Sequence, residues 1–370
     1  MQKFLALCAA LLTTLPLTAC GGDTPSAATP VATQGTAATA PTAAQAAAAT
    51  ATEPVATTPP AQLKKVVVAM GYVPNVQFAP FYVAQDKGYY AAEGLEVEFK
   101  YGQVNDLLKI VGEGSIDYAN VSGDEMVPAV AAGIPVVYVM TSYYRYPIAA
   151  AALASGPPLK TPADLKGRKV GIPGPYGSTY IGLKALLKAG GLQESDLDLK
   201  TIGFTQVSAL SQNQVDVAMT YSMNEPVQLQ ASGKPVLVLQ VSDYADLAAV
   251  GIATSAKKVK VETAQVQAFV RATLAGTTDT LKDPDAAFAS SLKRMPELAV
   301  EAQPVQRTVL TATLPFWTPP AGRVPGSSDP KTWENTAAFL QEIGVSPAAV
   351  DPTALYTNQF TGAPQDPPKR

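Results

Sequence analysis

The chain reads as an α/β protein in which mostly parallel strands alternate with covering helices. Two patterns predict this. Short Val/Ile/Leu-rich runs recur through its middle, and between them lie stretches whose apolar residues repeat at helical spacing. Such alternation gives parallel strands joined by right-handed crossovers. Length is the third observation: Leu63 to Phe360 suffices for one large α/β domain or two smaller lobes.

Taken in order, strands are expected at Val66–Met70, Leu95–Tyr101, Tyr118–Val121, Val136–Met140, Lys169–Ile172, Leu197–Ile202, Val215–Thr220 and Val236–Gln240. Helices are expected between them at 81–93, 105–112, 123–132, 178–189, 206–212 and 224–231. After Asp243 the pattern turns mostly helical, at 261–283, 285–294, 300–313 and 330–344. These late helices fit equally behind the first strands or over a cleft mouth. Thr161-Pro162 and Asp329-Pro330 each place an N-cap side chain before a proline suited to the first helical position.

The ends carry different information. Lys3, an apolar run from Phe4 to Leu15 and then Leu17-Thr18-Ala19-Cys20 describe a secretory signal over residues 1–19 that ends in a lipobox, with Cys20 the lipidated residue. The apolar run is shorter than the roughly 20 residues a spanning helix needs. Cys8 lies inside the signal, so Cys20 is the one mature cysteine and an intramolecular disulfide is excluded. Residues 20–62 are nearly all Ala, Thr, Pro, Gly and Ser, a composition unable to bury enough apolar surface to offset ordering entropy. They read as a tether of about 35 Å root-mean-square span. The tail, 361–370, is expected to fray.

Composition narrows function. The net charge is −3 without basic blocks, which argues against nucleic acid as a partner. The chain contains no histidine. No metal-ligand cluster and no paired-carboxylate acid–base site is apparent, so a binding role is expected rather than an enzyme, with no catalytic residue, cofactor or metal.

Chemistry gathers where strands stop. "GYVPNVQFAPFYVAQDKGYY" follows the first strand with amides and aromatic rings. In "GIPGPYGSTY" a Gly/Pro loop meets Ser178-Thr179 at a helix start, where free backbone N–H groups and hydroxyls form a polar socket. In open α/β sheets such strand ends hold ligands.

Four blocks carry a resemblance: Val66–Phe99, "GEGSIDYANVSGD" from Gly112, Leu159–Leu192 with "DLKGRKVGIPG", and "GFTQVSALSQNQVDVAMTYSMNEP" from Gly203. Together they resemble the solute-binding lipoproteins of ABC importers in the thiamine-pyrimidine/nitrate/taurine-type group, and within it the riboflavin-binding member. The resemblance implies the two-lobed periplasmic-binding-protein fold (type II). Lobe one would be 63–149 with the return over 244–360, lobe two 150–243, and the ligand cleft would lie between them. Some relatives of this fold are enzymes that build the thiamine pyrimidine with a histidine as reactant, a cysteine-rich motif and a pyridoxal cofactor; this chain has no histidine and one mature cysteine. The resemblance also implies an ABC permease and its ATP-binding subunit as partners.

Relatives that hold sulfonate or nitrate need a cation or donor cluster. The strand-end loops here offer little positive charge beyond Arg145. They offer instead Asn75, Gln77, Phe78, Ser122, Asp124, Tyr143, Tyr176, Ser178, Thr179, Tyr221, Asn224 and Glu225 as ligand-binding candidates. That inventory suits a flat, uncharged heterocycle with a polyhydroxyl tail: rings stack on tyrosines, amides match a uracil-like edge, and carboxylates and hydroxyls read the tail. Riboflavin is therefore the expected ligand, and a thiamine pyrimidine precursor the alternative. Neighbouring side chains on an extended segment face opposite ways, so at most one of Tyr143 and Tyr144 should line a cleft.

Overall fold

The computed structural model describes residues 62–102 and 106–362. The expected signal, Cys20, nearly all of the tether and residues 363–370 lie outside them. Ten strands form: β1 (Lys64–Ala69), β2 (Leu95–Lys100), β3 (Tyr118–Ser122), β4 (Val136–Thr141), β5 (Ile148–Leu153), β6 (Lys169–Ile172), β7 (Asp198–Thr201), β8 (Val217–Tyr221), β9 (Val236–Gln240) and β10 (Val250–Ser255). They make two five-stranded sheets, ordered β2-β1-β3-β10-β4 and β7-β6-β8-β5-β9. The chain leaves the first sheet after β4 and returns to it after β9.

All eight expected strands are present, with ends moved by at most two residues. Their β1–β2, β1–β3, β6–β7 and β6–β8 pairings are parallel. Two further strands escaped the sequence analysis, β5 and β10, and both run antiparallel to their neighbours: Gly251 pairs with Val121 and Thr141, Ile148 with Tyr221, and Ala149 with Gln240. Each occupies the fourth position of its sheet, so the two lobes are wound on one plan with the crossing strands exchanged.

Both strands were hidden for the same reason. In "IAAAAL" and "VGIATS" nearly every residue is buried, so no polar alternation marks them, and alanine is a weak strand former. Small residues serve close packing here. A Cβ on Gly182 of the covering helix would fall 2.6 Å from Ile148 Cγ2.

Among the described residues, twelve α-helices accompany the strands. Those after the first six strands are α1 (Ala79–Asp86), α2 (Tyr89–Ala92), α3 (Leu107–Gly112), α4 (Gly123–Ala131) and α5 (Gly177–Ala189); α6 (Gln206–Ser211) and α7 (Glu225–Ala231) follow in the second lobe. The helix expected at 81–93 is two helices, broken at Gly88, whose φ of 72° favours glycine. The short helix expected before Gly167 is a single 3-10 turn, Pro162–Leu165, closed by the Thr161–Asp164 capping box.

The C-terminal part supplies α8 (Ala256–Val261), α9 (Thr263–Lys282), α10 (Pro284–Leu292), α11 (Gln303–Trp317) and α12 (Pro330–Glu342). They pack behind the first sheet: α9 on α1 and α2, α10 on α1, and α12 on α4. Phe269 of α9 stacks on Tyr118 with centroids 4.0 Å apart, and Tyr90 lies on its other side at 5.5 Å. Helix α11 reaches further and packs against α7 of the second lobe. Among the described residues, no helix is long and apolar enough to cross a membrane.

The α9–α1 approach depends on Gly276, where a Cβ would lie 2.1 Å from the Pro80 carbonyl oxygen. Gly276→Ala should therefore cost about 1–3 kcal/mol despite alanine's better helix propensity. Urea unfolding of the two proteins measures this; an unchanged midpoint would contradict the seating of α9.

Candidate ligand-binding cleft

Strands β1, β3, β6 and β8 all end at one cleft of about 780 Å³, lined from both lobes. That volume lies within the roughly 300–1,000 Å³ of small-molecule sites. After β1 the chain makes a 3-10 turn, Val76–Phe78, in which Asn75 Oδ1 accepts from the Gln77 N–H at 2.9 Å. This cap turns Gln77 and Phe78 into the cleft. After β3, β6 and β8 come the first turns of α4, α5 and α7, so three helix N-termini meet the same space.

Of the twelve candidates, Gln77, Phe78, Ser122, Tyr143, Tyr176, Ser178, Thr179, Tyr221, Asn224 and Glu225 line the cleft. Two do not. Asn75 is buried and spends its carbonyl oxygen on the turn that it caps. Asp124 is fully buried beneath the cleft wall. Its Oδ1 accepts from Ser178 Oγ at 2.9 Å and its Oδ2 from the Tyr146 hydroxyl, which also lies 3.0 Å from the Ser178 carbonyl oxygen. The expectation that Asp124 reads ligand hydroxyls is corrected accordingly: its oxygens are spent on Ser178 and Tyr146, while Ser178 itself still lines the cleft.

Tyr143 faces the cleft, and its hydroxyl meets the Gln77 side chain. Tyr144 points away and accepts from the Gly326 N–H at 2.5 Å. Arg145 opens onto a different cavity of about 340 Å³, where its Nε donates to Ser242 Oγ at 3.3 Å. The one cation singled out from the loops is thus outside the cleft. Lys109 and Lys184, on helices, do belong to the lining; Lys184 Nζ is 2.7 Å from Glu194 Oε1, a pair internal to the second lobe.

At the mouth, the Tyr72 and Phe204 rings from opposite lobes meet edge to face at 4.8 Å. The Tyr72 hydroxyl reaches the Asn224 side chain. Tyr176, 43% exposed, sits at the rim. Phe204 and Gln206 were not among the candidates: Gln206 opens the helix expected at 206–212 and Phe204 stands in the loop between β7 and α6.

Glu125 was also missed, although Ser122-x-x-Glu125 has the spacing of a capping box. Glu125 Oε2 accepts from the Ser122 N–H at 3.0 Å. Glu225 repeats the arrangement in the second lobe: its Oε2 accepts from the Tyr221 N–H at 2.9 Å and its Oε1 from Asn224 Nδ2 at 3.0 Å. Burial, and for Glu125 the neighbouring Asp124 charge, push both glutamates up to about 7, against the N–H bonds that favour the charged form. Burial likewise raises Asp124, opposed by its Tyr146 and Ser178 bonds. The phenols of Tyr143 and Tyr221 are raised by burial and stay neutral donors.

Asp124→Ala would strand the Ser178 and Tyr146 hydroxyls without their acceptor and unlink the lobes. A loss of about 3 kcal/mol in urea unfolding is expected. A loss within a few tenths would show that the Asp124 junction does not hold the lobes.

Residues 75–287 match the family model described as NMT1/THI5 like. Over 371 residues the chain is 42% identical to the riboflavin-binding protein RibY of Chloroflexus aurantiacus, covering 97% of this chain and 98% of that protein. It is 24% identical over 301 residues to the 4-amino-5-hydroxymethyl-2-methylpyrimidine phosphate synthase of Legionella pneumophila, covering 80% and 92%. In fold it is similar to the periplasmic aliphatic sulphonate binding protein SsuA of Escherichia coli, with a TM-score of 0.61, 18% identity and coverage of 78% and 91%. With the family pattern running through both lobes and a relative matched end to end, the chain belongs to the NMT1/THI5-like family.

Proposed function

We propose that this protein is the solute-binding component of an ABC importer and that it captures riboflavin outside the membrane. One observation carries the reading: the cleft is lined by rings and amides from both lobes, and the N–H groups where α4 and α7 begin are already taken, Ser122 by Glu125, Gly123 and Asp124 by the Ala249 and Ala248 carbonyl oxygens, and Asn224 by the Tyr221 carbonyl oxygen. Little donor capacity is left there for an anion, whereas a flat uncharged ring system is well matched. The 42% identity to RibY supports the same ligand.

Tyr72, Phe78, Tyr143, Tyr176, Phe204 and Tyr221 offer ring faces and edges to an isoalloxazine. Gln77 and Asn120 supply amides for its uracil-like edge. Asn224 is less free, since its Oδ1 accepts from Gln228 Nε2 at 2.8 Å while its Nδ2 donates to Glu225. Thr179, Ser122 and Glu225 are left for the ribityl hydroxyls. Ligand selects the closed arrangement because only closure brings both sets of contacts together.

Binding without catalysis fits a chain that has no histidine to serve as reactant or general base. The lipobox at Cys20 and the tether would hold the loaded domain near a permease driven by an ATPase.

Thermal denaturation should shift upward with riboflavin, and not with thiamine or taurine; saturation at 100 times Kd contributes about 2.7 kcal/mol. A shift with hydroxymethylpyrimidine alone would replace the ligand by the pyrimidine precursor. Tyr176→Ala should weaken flavin binding, and unchanged affinity removes Tyr176 from the site. In cells, Cys20→Ala should abolish incorporation of labelled fatty acid and release the protein from membranes; retained label would refute the anchor.

A further inference from the structure

Glu125 and Glu225 stand on opposite lobes and face one cleft. Each sits in the first turn of a helix and folds back to accept from the backbone N–H at the preceding strand end. Glu225 is 5% exposed, and both of its oxygens already accept N–H bonds. Glu125 turns its Oε1 toward Gly177 of the other lobe, where a Cβ would come within 3.4 Å. Glycine there answers to a left-handed φ of 69°, and its absent side chain leaves Glu125 beside the α5 N-terminus.

Lys109 of α3 shares the cleft lining but forms no ion pair with either acid. None of the ion pairs among the described residues involves Asp124, Glu125 or Glu225. The titratable groups facing Glu125 are Asp124 on its own helix, Tyr146 in the crossing segment and Tyr221 at the end of β8. Those facing Glu225 are Tyr72 and Tyr221. Around the start of α5, Gly177, Ser178 and Thr179 bring no acid or base to the cleft, and Lys184 further along the helix is taken by Glu194. Burial without a counter-ion favours the neutral acid. Glu125 Oε2 and both Glu225 oxygens already accept N–H bonds, so the neutral acids carry O–H groups that need acceptors. The open cleft is where that acceptor would sit.

We propose that Glu125 and Glu225 are the specificity-determining pair of the cleft, gripping an acceptor-bearing ligand from opposite lobes as neutral carboxylic acids, so that capture takes up protons. Their O–H groups donate to carbonyl, ring-nitrogen or hydroxyl acceptors of an uncharged ligand. Closure removes the remaining water and holds the acid form more firmly than in the open protein. Affinity is therefore greatest where the acids are already protonated and falls as pH rises past neutrality.

The probe is riboflavin, so this inference rests on the ligand reading above, and two measurements separate them. Titration calorimetry at neutral pH, in buffers of different ionisation enthalpy, should show net proton uptake on binding. Affinity at pH 8.5 should be about tenfold or more weaker than at pH 5.5, as expected when a carboxyl holds its proton more tightly in the complex. The double variant Glu125→Gln with Glu225→Gln, amide in place of acid, should bind with a flat pH profile. Independently, difference infrared spectra of the ligand-free protein at pH 6 should contain a protonated-carboxyl band that the double variant lacks. Zero proton uptake with pH-independent affinity in the wild-type protein overturns the proposal, and so does absence of the band. A band present with no flavin binding at any pH overturns the riboflavin reading and leaves the acid pair standing.

Discussion

Convergence of helix N-termini on a closed space is the constraint around which this protein is arranged. Because β3, β6 and β8 are parallel within their sheets and each feeds a helix, α4, α5 and α7 all begin at the cleft. Buried donors must be satisfied. The chain answers at α4 with the Ala248 and Ala249 carbonyl oxygens and with Glu125, and at the end of β8 with Glu225. Charged groups could serve those donors, but burial without a cation drives them toward the neutral form. The result is a cleft rich in hydrogen-bonding capacity that presents little net charge to a ligand.

A second consequence concerns how the halves are held. The lobes are joined covalently only where the chain crosses after β4 and β9, yet they also meet through side chains at two levels. At the mouth, Tyr72 touches Phe204 and Asn224. Beneath the wall, Asp124 of the first lobe receives Ser178 of the second and Tyr146 of the crossing segment. A carboxyl buried in this way is costly unless every oxygen is used, and here both are. Asp124 thus belongs to the architecture of closure, while its neighbour Glu125, one residue on and rotated about the helix, faces the ligand space.

Lobe symmetry explains which strands hide in the sequence. Both sheets follow one winding order, and in each the fourth position is filled by the strand next to a crossing. Those strands, β5 and β10, are covered on both faces, so they carry small apolar residues and no alternation. Sheet packing, not strand propensity, selects alanine and glycine there.

By itself the sequence determined the α/β class, the places where eight strands begin and end, and the stretches where rings, amides and hydroxyls collect. These are local matters of apolar period, capping spacing and proline or glycine position, and they need no distant partner. It determined too that no histidine is present to do acid–base work. Only tertiary structure decided which of the gathered polar groups face the cleft and which face each other. Asn75 and Asp124 look alike in sequence to Gln77 and Glu125, but the 3-10 turn claims Asn75, and Ser178 with the Tyr146 hydroxyl claims Asp124. The seating of α9 behind the first sheet, and the reach of α11 to α7, were likewise beyond local pattern. An amphipathic helix declares that it has a buried face; what covers that face is set by contacts hundreds of residues apart, such as Gly276 against Pro80.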